Sequence, residues 1–104
     1  MMLPLKLEDT ESKYNHVTCG SEVTRQSDIH IFDFETEEGY TNEGRGSRLL
    51  SELCEVADEY DSTITIKMGT RDGLEATQDF LKKHGFSIIS ISDTAVQAKR
   101  QPNI

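Results

Sequence analysis

The spacing of apolar residues changes period midway along the chain. From Gly46 onward they fall at Leu49, Leu50, Leu53, Cys54 and Ala57, one face of a helix. "STITIKM", residues 62–68, is short and β-branched, which predicts a strand. Asp72 precedes Glu75 by three positions, the spacing of a capping box, so a second helix is expected to begin there. Leu74, Thr77, Leu81 and His84 share a helical face, with Phe80 beside it. Lys82, Lys83 and His84 suit the negative end of the helix dipole, and Gly85 suits the residue just past that end. "FSIISI" predicts a strand, and "AVQAKR" predicts a last one after a turn at Ser92-Asp93-Thr94.

The first half reads as strands. "PLKL" predicts a short edge strand, because Pro4 is tolerated only at an edge or a strand start. "YNHVTC" and "EVTRQ", on either side of Gly20-Ser21, predict a hairpin with a type II′ turn. Ser27-Asp28 turns the chain again. "IHIFDFET", residues 29–36, carries Ile29, Ile31, Phe32 and Phe34, apolar on both faces, which predicts a central strand. The expected order is β-β-β-β-α-β-α-β-β. That is an α/β fold of the α+β sandwich kind: a mostly antiparallel sheet with two packed helices, parallel only where 29–36 meets 63–68.

Composition narrows the reading. A chain of 104 residues fits one domain, with 1–13 and 101–104 expected as flexible ends. At 35% hydrophobic residues and no Trp, the core fills two layers at most. A net charge of −8 disfavours nucleic acid as a partner. It is compatible with a basic protein or a polyamine, and equally with solubility alone. No apolar run is long enough to cross a membrane, and "MMLPLKLEDTESK" lacks the pattern of a signal peptide, so a cytoplasmic protein with no membrane partner is expected. Cys19 and Cys54 belong to no ligand pattern, which predicts buried thiols and no metal.

The remaining question is "GYTNEGRGSRLLSEL", residues 39–53. The strong strand leads through "EEGYTNE" into Gly44-Arg45-Gly46 at a helix start. A helix N-terminus leaves amide groups unpaired and carries partial positive charge, and glycines let a ligand approach them. This is an anion site suited to a pyrophosphate, with Arg45 and Arg48 adding charge. It matches neither the Walker nor the dinucleotide pattern. Arg48 could instead pair with Glu52 one turn on.

The segment resembles the acyl-CoA-binding motif of the GNAT N-acetyltransferase superfamily, Q/R-x-x-G-x-G/A. Gly44 and Gly46 match the two glycines, while Thr41 stands where Gln or Arg is usual. "LEATQDFLKKHGF" is similar to the family's second signature, a helix ending in Gly-Phe, here Gly85-Phe86. The resemblance covers about residues 29–92 and implies acetyl-CoA as co-substrate. It implies that the pantetheine arm bonds the backbone around Thr36, Glu37 and Glu38. The loop Thr41, Asn42, Glu43, Gly44, Arg45, Gly46, Ser47 and Arg48 then holds the pyrophosphate.

The implied reaction is attack of a primary amine on the thioester. A lysine amine arrives protonated, so a base is needed. The resemblance puts that base near His30. Asp28, two residues earlier on the same strand face, could orient it. A half-exposed histidine bonded to a neighbour is the plainer reading of His30. Asp33 and Glu35 are weaker candidates on the other face. The family's acid, a tyrosine in the second helix, falls at Leu81, so a proton for the leaving thiol would come from solvent, Tyr40 or His84.

Family members carry two helices between their first strands, and the segment between "PLKL" and "HVTC" is too short for them. The resemblance is therefore to a short member with an open site, which suits an amine on a macromolecule such as a protein lysine. A homodimer is an open expectation. The competing reading is a GNAT fold that has lost catalysis and acts as an acidic binding or inhibitor protein on a basic partner.

Overall fold

The computed structural model describes residues 2–37, 44–71 and 73–102. The elements are α1 (Met2–Ser12), β1 (Val17–Val23), β2 (Ile29–Thr36), α2 (Arg45–Glu59), β3 (Ile64–Gly69), α3 (Leu74–Lys83), β4 (Ser87–Ile91) and β5 (Ala95–Arg100). They form one five-stranded sheet in the order β1-β2-β3-β5-β4. Only the β2–β3 pair is parallel. The mostly antiparallel α/β sheet, with β2 inside it and parallel to β3, is as the sequence predicts.

The N-terminal elements differ from expectation. "PLKL" belongs to the helix α1, so the described residues hold three packed helices, not two. The reason is the spacing of Leu3, Leu7 and Thr10, all buried and on one helical face. Pro4 falls in the first turn, where a backbone N–H has no helical partner. This segment, expected as a loose end, anchors Leu3 and Leu7 in the core, while Leu5 is exposed. The hairpin predicted at Gly20-Ser21 is absent, because β1 runs straight through both residues. Gly20 lies opposite Phe32, and a Cβ there would meet the Phe32 ring at 2.4 Å. The glycine makes room for an aromatic ring across the strands. The turn into β2 is the one at Ser27-Asp28, closed by Thr24 N–H donating to the Asp28 carbonyl at 2.8 Å.

Side chains alternate across each strand. Ile29, Ile31, Ile64, Ile66, Val96 and Ala98 are buried on one face, in a single cluster with Leu49, Leu50 and Leu53 of α2 and Leu81 of α3. His30, Phe32, Thr65, Lys67 and Gln97 take the other face and remain half-buried or exposed. Arg100 fixes α2 to the sheet, donating to both Asp58 oxygens at 2.9 and 3.0 Å.

The feature that makes a site is where β2 and β3 stop pairing. Their register runs from Ile29↔Ile64 to Ile31↔Ile66 and ends there. Yet β2 continues to Thr36 and β3 to Gly69. At the same level β2 bulges: Thr18↔Glu35 gives way to Gly20↔Phe32, so Asp33 and Phe34 together oppose Cys19. Asp33 takes the left-handed conformation, φ 53°. The bulge bends β2 away from β3 and opens a gap between their carboxyl ends.

Candidate functional site

A cleft of about 580 Å³ occupies that gap. Phe34, Glu35 and Thr36 line it from β2, Met68 and Gly69 from β3, and Thr77, Phe80 and Lys83 from α3. Gly44, Arg45, Gly46 and Ser47 close one end. The start of α2 explains why glycine is needed twice. Gly44 is the N-cap at φ 76°, a left-handed conformation costly for other residues. A Cβ on Gly46 would stand 3.1 Å from Thr36 Oγ1 and 3.4 Å from Phe34 Cε1, so glycine lets the helix start abut β2. Among the described residues no side chain caps this helix, and its first turn holds no acidic residue. Among the described residues no side chain accepts from the Gly46 and Ser47 amides, the kind of group at a helix start that suits an anion.

Charge agrees. On a chain of net charge −8, the described lining of the cleft carries Arg45, Arg71 and Lys83 against Glu35 alone. Arg71 was not foreseen. It stands in the loop after β3, and its Nη2 donates to the Thr36 carbonyl at 2.6 Å, across the gap. The signal was available: a cation in a Gly-rich loop at the carboxyl end of a parallel strand, where α/β sheets bind ligands.

The other predicted residues divide. His30 sits at the last paired rungs before the gap, opposite Thr65, whose Oγ1 lies 2.9 Å from its Nδ1. Its ring stacks on Phe32 at 6.0 Å. Asp28 does not orient it. The Asp28 Oδ1 accepts the Thr63 backbone N–H at 3.0 Å and ties the start of β2 to β3. Glu35 is exposed at the cleft wall. Thr36 reaches the cleft, but Glu37 pairs with His16 Nδ1 at 2.8 Å and donates its N–H to the His16 carbonyl. Arg48 is exposed, and Glu52 pairs instead with Tyr14 Oη at 2.9 Å and Lys13 Nζ at 3.4 Å. Glu38, Tyr40, Thr41, Asn42 and Glu43 lie outside the described residues. So does Asp72 of the predicted capping box, while Gly73 holds the N-cap of α3.

Leu81 is fully buried in the core, and its neighbour Phe80 faces the cleft. His84 ends α3 with Nε2 2.9 Å from Ser47 Oγ and Nδ1 3.4 Å from Ser51 Oγ. Burial, then Lys83 and Arg100, pull its pKa below the usual histidine value. Burial pushes the Cys19 and Cys54 thiols up to about 12 and about 11, which makes them inert. Among the described residues no helix is long and apolar enough to cross a membrane.

The family model described as "Acetyltransferase (GNAT) family" matches residues 12–86. The chain belongs to the GNAT family. No curated protein matches the sequence. Solved GNAT-like structures do. Ard1 from Thermoplasma volcanium is 21% identical with a TM-score of 0.66, over 85% of this chain and 64% of its own. A GNAT-family acetyltransferase from Staphylococcus aureus Mu50 is 19% identical with a TM-score of 0.66, over 85% and 61%. Arabidopsis thaliana Naa50, solved in complex with the bisubstrate analogue CoA-Ac-MVNAL, is 18% identical with a TM-score of 0.60, over 82% and 63%. Identities this low show the shared fold. The chain spans 61–64% of the length of these three GNAT-fold structures.

Proposed function

We propose that the chain binds acetyl-CoA in the cleft between β2 and β3 and transfers its acetyl group to a primary amine. The observation that carries this is the gap itself. Two parallel strands part just before a helix start that has no capping side chain among the described residues and is flanked by cations. Naa50, which shares the fold, was solved with CoA joined through an acetyl group to a peptide. In this reading the pyrophosphate takes the amides of Gly46 and Ser47, with Arg45 beside them. The acyl arm runs into the gap between Thr36 and Gly69.

The amine approaches on the helix-free face of the sheet, where His30 stands at the foot of the gap. Thr65 holds Nδ1, and among the described residues Nε2 has no partner, so Nε2 is the atom to take the ammonium proton. Asp28 serves the fold and not the base. Glu35, on the cleft wall, is the second candidate. The open face suits an amine displayed on a protein, such as a lysine.

Calorimetric titration of acetyl-CoA, followed by a screen of lysine peptides and polyamines read by mass spectrometry, tests the proposal. Binding and a mass increase of one acetyl group are expected. Failure to bind acetyl-CoA would overturn it, and tight binding with no transfer to any amine would leave an acidic binding protein.

A further inference from the structure

The Ser47–His84–Ser51 cluster joins the end of α3 to the start of α2 and has no part in the chemistry above. We propose that His84, backed by Ser51, is a positioning residue that holds the Ser47 hydroxyl as a hydrogen-bond donor toward a phosphate in the cleft. The inference rests on the cleft being an acyl-CoA site and goes further by assigning a residue on another helix to its anion end.

Ser47 has one hydroxyl hydrogen and lines the cleft. Its Oγ is 2.9 Å from His84 Nε2, so either the serine donates to the ring or the ring donates to the serine. A phosphate oxygen only accepts. When an anion is present, the Ser47 hydrogen is best placed on it, and Nε2 must then carry a hydrogen of its own. Nδ1 becomes the acceptor, and Ser51 Oγ stands 3.4 Å away to supply a donor. The relay runs Ser51 to Nδ1, Nε2 to Ser47 and Ser47 to phosphate, with every hydrogen used once. The ring is steadied by the edge of Phe80 at 5.0 Å, itself part of the cleft wall.

The same geometry links anion binding to a proton. The charged groups acting on His84 are Lys83 on its own helix and Arg100 on β5, the latter bound to Asp58 of α2; Ser47 and Ser51 face it from α2. Burial and the two cations favour the neutral ring. A bound phosphate opposes them, so His84 should gain affinity for a proton when the anion binds. Affinity should therefore rise as pH falls through the His84 titration.

Dephospho-CoA is the probe, because its diester pyrophosphate does not change charge between about pH 5 and 8, and pH effects then belong to the protein. At pH 7.5, His84→Leu should weaken its binding about three- to tenfold, the range of one hydrogen bond. The tightening of the parent protein at lower pH should be lost. His84→Gln keeps an N–H for Ser47 and should retain most of the affinity at pH 7.5 without the pH dependence. At pH 7.5 in a Ser47→Ala background, His84→Leu should change nothing further. Nitrogen NMR of the intact parent guards against misfolded variants. It should show hydrogen on Nε2 and a His84 pKa that rises on adding dephospho-CoA. Parent-like binding by His84→Leu at pH 7.5 and below, an effect at pH 7.5 that persists without Ser47, or an unmoved His84 pKa would each overturn the role of His84 and leave the cofactor site standing. A parent that binds neither CoA nor dephospho-CoA would overturn both.

Discussion

The two halves of β2 behave as different materials. From Ile29 to Ile31 the strand is paired on both sides, its isoleucines are buried, and Asp28 and Ser62 tie its start to the start of β3. From Phe32 to Thr36 it bulges and leaves β3, and Arg71 reaches across the opening to the Thr36 carbonyl. Pairing and burial hold the first half in place. The second half gives up one partner strand, and the surface it exposes is what a ligand can use. Stability and binding therefore separate along a single strand, and they should respond to different substitutions.

The largest contrast is between Ile66→Ala and Gly46→Glu. Ile66 is buried at the last paired rung, so its truncation should cost about 2–5 kcal/mol in chemical denaturation, the range for large-to-small core changes. Gly46→Glu should instead abolish acetyl-CoA binding, because a carboxylate would occupy the anion end of the cleft. The tight approach to Thr36 and Phe34 makes some loss of stability unavoidable, smaller than that of Ile66→Ala. If Gly46→Glu unfolds the protein as readily as Ile66→Ala, the two halves are not separable.

His30 marks the boundary between them. Under the proposed mechanism, His30→Ala should lower kcat/KM by on the order of 10²–10⁴, with acetyl-CoA affinity unchanged. Arg45→Ala, on the ligand side, should do the reverse: binding weaker by roughly 1–3 kcal/mol with kcat little altered. Steady-state kinetics beside calorimetry reads both, and equal effects of the two on kcat would erase the distinction.

How far the sequence disclosed this follows from how local each signal is. β2 was legible because an apolar run with both faces hydrophobic has few other uses, and α2 because its leucine stripe is long. Gly44 and Gly46 were legible as a close approach, though the second contact, Gly46 against Phe34 and Thr36, was not. α1 was missed because four residues beginning at Pro4 were read alone, whereas the helix shows only when Leu3, Leu7 and Thr10 are taken together. Gly20 misled for a different reason. A glycine that admits a ring from another strand cannot be told from a turn glycine until the register is known. Arg71 and the Ser47–His84 contact needed the same tertiary information, since they join residues 35 and 37 positions apart.

The smallest effect probes the same division through the cysteines. Cys19 stands opposite the bulge, and Cys54 on α2 feels Arg100 and Asp58, near the paired end of β3. Both thiols are pushed up, to about 12 and about 11, above all by burial. A raised thiol pKa means that the folded protein keeps a proton which the unfolded chain releases from about pH 9 upward. The thiols' contribution to stability is thus whole below about pH 9 and declines as pH rises from there toward the folded values. Unfolding free energy should fall between pH 8 and pH 10.5, and less steeply in Cys54→Ala. Labelling at pH 8 with a thiolate-selective reagent then separates the ends. Cys54 should react only through global opening, at a rate that climbs steeply with urea. Cys19 should react through local opening at the bulge, with little dependence on low urea. If the two rates share one urea dependence, the halves of β2 open together, and the gap is as firmly held as the rungs beneath it.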